Sequence, residues 1–76
     1  MVNISYDSVA DALYIKFSNE RIKESEEISK GIILDYSNDG KIIGIEILNY
    51  SKRNIDLNKL IKLREEEIVA EVAVCE

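Results

Sequence analysis

A chain of 76 residues makes one domain at most. At that size folding buries only about 60% of the unfolded surface, so the core must be tightly packed or completed by a partner. A single cysteine excludes an internal disulfide and a multi-cysteine zinc site, and the absence of histidine removes the commonest metal ligand and general base. Ten basic against fifteen acidic residues, net charge −5, argue against a general nucleic-acid binder.

Hydrophobic residues at 46% place the chain among globular domains and away from disorder. No apolar run approaches the ~20 residues of a membrane span. The segment Met1-Val2-Asn3-Ile4-Ser5 lacks the basic and apolar stretches of a signal peptide. The expectation is a cytoplasmic protein with no membrane association, in which Cys75 stays reduced and acts as a small apolar residue.

Val2, Ile4 and Tyr6 alternate with polar neighbours, which is the period of a half-buried strand. Asp7-Ser8-Val9-Ala10-Asp11 breaks the pattern as a turn, its aspartates suited to bonding nearby amides. Alternation resumes with Leu13, Ile15 and Phe17 on one face and Ala12, Tyr14 and Lys16 on the other, making a hairpin. Residues 18–30 are polar and acidic and read as an exposed connection, partly extended, anchored by Ile22 and Ile28. Ile32, Leu34 and Tyr36 then face inward.

Ser37-Asn38-Asp39-Gly40 marks a second hairpin, because Asp-Gly between apolar strands accepts positive φ at low cost. In the return strand Ile43, Ile45 and Ile47 face one side, and Ile42, Gly44, Glu46 and Leu48 the other. Gly44 in mid-strand signals a bulge or the close approach of another element. Asp56 caps a helix with an apolar stripe of Leu57, Leu60, Ile61 and Ile68. Glu65-Glu66-Glu67 reads as a solvated and electrostatically awkward helix end. Residues 67–76 fit a strand or a continued helix, their β-branched residues favouring strand.

The stretch from Tyr6 to Phe17, followed by Gly31 to Tyr36 and Asp39 to Leu48, resembles the prokaryotic family called domain of unknown function 2283. That family's pattern is Tyr-Asp-x-x-x-Asp-x-Leu-Tyr-Ile, then Leu-Asp-Tyr, then Asp-Gly-x-x-x-Gly-Ile-Glu-Ile-Leu, and every element is present. The resemblance runs from about Ile4 to Lys52. It implies a small stand-alone protein with no assigned activity. Some members sit beside small toxin-like genes, which implies an antitoxin-like or accessory role with a partner encoded nearby.

The candidate chemistry is sparse. Asp7, Asp11, Asp35 and Glu46 could hold a hard divalent cation if they converged, and a metal-dependent hydrolase or nuclease is the alternative that they support. Their plainer role is to bond turn amides (Asp7, Asp11) or to project from the outer sheet face (Asp35, Glu46). No nucleophile–base pair and no phosphate loop is visible, so no catalytic residue and no cofactor is expected. The basic cluster of Lys52, Arg53, Lys59, Lys62 and Arg64 reads as a solvated helix face.

These readings converge on a single α+β domain over residues 1–76. An antiparallel sheet of two hairpins fills residues 1–52, and residues 53–76 form a helical tail packed on one face, with a fifth strand at its end as an open choice. The core comprises Ile4, Tyr6, Leu13, Ile15, Phe17, Ile32, Leu34, Tyr36, Ile43, Ile45 and Ile47, joined by Leu57, Leu60 and Ile61. The uncovered face would carry Tyr14, Ile33, Ile42 and Leu48, an apolar set suited to a dimer or partner interface. The expected function is a non-catalytic, homodimeric protein-interaction module.

Overall fold

The computed structural model describes the backbone of residues 3–74 and the side chains of residues 3–72. Five strands, β1 (Asn3–Asp7), β2 (Ala12–Lys16), β3 (Glu24–Ser29), β4 (Ile32–Tyr36) and β5 (Ile42–Leu48), precede a 3-10 turn (Tyr50–Lys52) and two helices, α1 (Leu57–Leu60) and α2 (Glu65–Val74). All strand pairs are antiparallel, in the order β1-β2-β5-β4-β3. The α+β architecture follows: the hairpins β1–β2 and β4–β5 join through the β2–β5 pairing, β3 folds back on the edge of β4, and the helices cover one face.

The fifth strand lies in the acidic stretch read as a connection, not at the C-terminus. Glu24-Ser25-Glu26-Glu27 has little β propensity. What holds it extended is the unpaired edge of β4, which β3 pairs from Glu24↔Tyr36 to Ser29↔Ile32. Residues 67–74 are helical; Cys75 and Glu76 lie outside the described residues.

The two predicted hairpin turns follow from their aspartates and glycine. The Asp7 carboxylate accepts the amides of Val9 at 3.0 Å and Ala10 at 3.2 Å. Asp11 adopts φ +52°, which an Asp tolerates. Gly40 at φ +83° closes the second turn, its amide donating to the Ser37 carbonyl at 3.0 Å.

One row of the core runs Leu13, Ile47 and Ile32 across three strands, and the next runs Ile15, Ile45 and Leu34. Leu60, Ile68 and Val72 close over these rows, and all nine are buried in one cluster. Tyr6 and Ile61 are both exposed, so neither is a core residue. Leu63, which falls off the predicted stripe, packs against the cluster.

The predicted single helix is two. Asp56 caps the first as expected, accepting the Asn58 amide at 3.0 Å. The second begins at the glutamate run: Glu67 reaches back to the Arg64 amide at 2.9 Å, half of a capping box. Three carboxylates in a first turn face the positive end of the helix dipole and stabilise it. The run read as an awkward end is a favourable start.

A bulge decides which isoleucine faces which way. The β4–β5 register is regular from Ile32↔Ile47 to Asp35↔Gly44, then shifts to Tyr36↔Ile42, which leaves Ile43 as an extra residue. Ile42 therefore packs against the core cluster, and Ile43 lines the opposite face. Strict alternation gives the reverse for both, because a one-residue slip exchanges the faces.

Candidate functional site

The face without helices carries a polar framework built across three strands. Tyr14 of β2 reaches diagonally over β5 and donates its hydroxyl to Asp35 Oδ2 on β4 at 2.7 Å. Ser25 of β3 donates to Asp35 Oδ1 at 2.5 Å from the other side. Both oxygens of a buried carboxylate are thus satisfied, as burial requires. Gly44 is what lets Tyr14 pass, since a Cβ at that position would lie inside the phenol ring and hydroxyl. Burial, with the Asp35 hydrogen bond and charge beside it, pushes the Tyr14 phenol above its ordinary value. At neutral pH this hydroxyl is a protonated, committed donor and offers no general base.

Beside this framework lies an open depression of ≈ 520 Å³, lined by Tyr14, Lys16, Glu20, Ile22, Ile43 and Glu46 among others. The 18–23 connection forms its rim. Glu20 pairs there with Lys41 at 3.5 Å, both exposed, so the pair adds about 0–1 kcal/mol.

The four carboxylates of the metal reading do not converge. Asp35 and Glu46 share the open face, Asp35 in the row of Gly44 and Lys16 and Glu46 in the row of Tyr14. Asp7 sits beside Ala12, four residues along β2 from Lys16, or about 13 Å at 3.3 Å per residue. Asp11 belongs to that far turn. Its carboxylate accepts the Tyr6 hydroxyl at 2.6 Å, the Ser51 hydroxyl at 2.7 Å and the Ser51 amide at 3.0 Å. These bonds, led by that of Tyr6, hold Asp11 below the usual carboxylate range, and the same contact raises the Tyr6 phenol. Among the described residues no three acidic or cysteine groups approach closely enough to share a cation.

Of the four predicted interface residues, Tyr14, Ile33 and Leu48 lie half-buried on the open face, and Ile42 does not. The face is mixed. Glu27, Glu46 and Lys16 accompany those three, and Ile22 is its most exposed large apolar residue. Three contributors escaped sequence reasoning. Ser25 lies in a stretch with no strand pattern. Ile43 reaches this face only through the bulge.

The third is Arg53, which closes one corner of the sheet. Its guanidinium donates to the Leu48 carbonyl through Nε and to the Lys30 carbonyl through Nη2, both at 2.7 Å. It fills the space over Gly31, whose φ of +78° already excludes most other residues. It is a structural clamp, not part of a solvated helix face.

The motif residues thus have assigned work: Asp7 and Asp11 hold the first turn, Tyr14, Asp35 and Gly44 the open face, and Asp39, which accepts the Ser37 hydroxyl, holds the second turn with Gly40. No described helix is long and apolar enough to cross a membrane. No curated protein and no solved structure matches the chain. A family model does match over residues 3–51, that of the protein family of unknown function DUF2283. These residues span the whole sheet and its open-face framework, and the chain belongs to that family.

Proposed function

We propose that this protein is a non-catalytic, homodimeric protein-binding module whose open sheet face takes a small basic protein, in the manner of an antitoxin or accessory subunit. The observation that carries this reading is the uncovered face itself. Half-buried Tyr14, Ile33 and Leu48 stand on a framework pinned by Asp35, with Glu46 between Tyr14 and Ile33 on the central strand and Glu20 and Glu27 toward the margins. Such a surface interleaves apolar and acidic side chains on a preorganised framework, and a chain of net charge −5 steers a cationic partner toward it. The hydrolase alternative loses its support because Asp7 and Asp11 are engaged in the first turn and Asp35 in the framework, on two separate parts of the sheet.

Affinity capture from native lysate, with the wild type and Ile33→Glu side by side, tests the reading. A basic protein recovered at equal stoichiometry by the wild type, released by salt and lost with Ile33→Glu, supports it. Equal recovery by both chains, or recovery of no stoichiometric basic partner, overturns it.

A further inference from the structure

The two edges of the sheet are built differently. β3 exposes Glu24, Glu26 and Glu27 and carries an irregularity between Glu27 and Ser29. Charge and bulge are devices that keep a sheet edge from pairing with another. β1 has neither: its register on β2 is regular, and Asn3, Ile4, Ser5 and Tyr6 are uncharged. Its only charge, Asp7, is turned into the hairpin turn.

The free hydrogen-bonding groups of β1 can be assigned. The Phe17 amide donates to the Ile43 carbonyl at 2.9 Å, so alternate residues of β2 counted back from Phe17 face β5. Ala12, Tyr14 and Lys16 face β1, where they meet Asp7, Ser5 and Asn3. The main-chain groups of Ile4 and Tyr6 therefore point outward, away from the sheet. Tyr6 is 49% exposed at this edge, and Val9 in the adjoining turn is 96% exposed. Tyr6 is also held in place, by its bond to Asp11 and by an edge contact with Tyr50 at 5.9 Å between ring centroids.

We propose that a second copy of this chain adds its β1 to the first, antiparallel about a twofold axis through Ser5. This deepens the homodimeric part of the function proposed above and leaves the open face for the basic partner. Ile4 then exchanges both main-chain hydrogen bonds with Tyr6 of the second copy, and Tyr6 with its Ile4. The Ser5 residues meet as a non-hydrogen-bonded pair with Cα atoms about 4.5 Å apart. A self-complementary strand of this kind makes an isologous contact, which closes after two copies. It doubles the five-stranded sheet, and the protected β3 edges end it on both sides.

Light scattering across a dilution series, with crosslinking, tests the proposal. The wild type is expected at twice the chain mass, falling to one chain on dilution. Ser5→Lys, exposed and outside the core, places two like charges across the axis and is expected to halve the mass with an unchanged far-ultraviolet circular dichroism spectrum. A wild type at single-chain mass throughout, or a Ser5→Lys chain still at double mass, overturns the pairing. A second variant stands clear of any folding defect in the first. Ser5→Cys in a Cys75→Ser background is expected to form a covalent dimer on mild oxidation, the Cα spacing being within disulfide range. Glu26→Cys in the same background, on the guarded edge, is expected to stay single, and equal crosslinking by the two overturns the pairing. The outcomes separate from the partner reading: single-chain mass with Ile33-dependent capture removes only the edge contact.

Discussion

The two faces of this sheet are held together by different physics. Under the helices, Leu13, Ile15, Ile32, Leu34, Ile45 and Ile47 are nearly solvent-free and stabilise by volume and apolar area alone. On the other side, no described helix supplies a lid, and the strands are tied by hydrogen bonds that run across them, Ser25 to Asp35 to Tyr14. The lesson is that a short sheet can leave one face uncovered if a few long polar side chains span the strands. The cost is a strict spatial requirement at one backbone position, Gly44.

The comparison can be broken most severely on the apolar side. Ile45→Ala, at a fully buried site, is expected to lower the unfolding free energy by about 2–5 kcal/mol, read by chemical denaturation. Next in size is Gly44→Ala, where the added methyl displaces the Tyr14 ring, at a cost of about 1–3 kcal/mol. The same change in a Tyr14→Ala background is expected to cost much less. That non-additivity in a double-mutant cycle is the signature of the crossing; independent additive losses would contradict it.

A smaller loss, about 1–2 kcal/mol, is expected for Tyr14→Phe, which leaves the ring in place and removes one bond to a buried carboxylate. This variant also sharpens the contrast through pH. The Tyr14 phenol titrates higher folded than unfolded. Its contribution is therefore complete below the ordinary phenol value near about 10 and declines as pH rises above it. Alkaline destabilisation is expected to be shallower in Tyr14→Phe, whereas Ile45→Ala should leave that slope unchanged. The smallest effect lies in the tail: Glu67→Ala should cost about 0.3–1 kcal/mol through the α2 start, and less at high salt.

The same division explains what could be read from the residues alone. Period-two alternation placed most of the covered face correctly, because burial there depends only on which side of a strand a residue occupies. It failed at Ile42 and Ile43, where one inserted residue reverses the sides. Gly44 carried a visible signal, yet its partner Tyr14 is diagonal and on another strand. Ser25 carried none, since β3 is a strand by virtue of its neighbour's edge and not of its own composition. The acidic start of α2 was legible in principle: three glutamates oppose the dipole at a helix end and favour it at a beginning, and the sign of that term could have split the tail into two helices.

The position of β5 at the centre of the sheet has a consequence for how the chain matures. The β1–β2 ribbon can close locally, but the strand that it docks against emerges from a ribosome about thirty residues later, or about 2–6 s at ordinary synthesis rates. Until then Leu13 and Ile15 have no opposite row, and an isolated two-stranded ribbon is only marginally stable in water. Arrival of β5 joins the ribbon and β4 in one step, so folding of the sheet is expected to be all-or-none and gated by the last strand made.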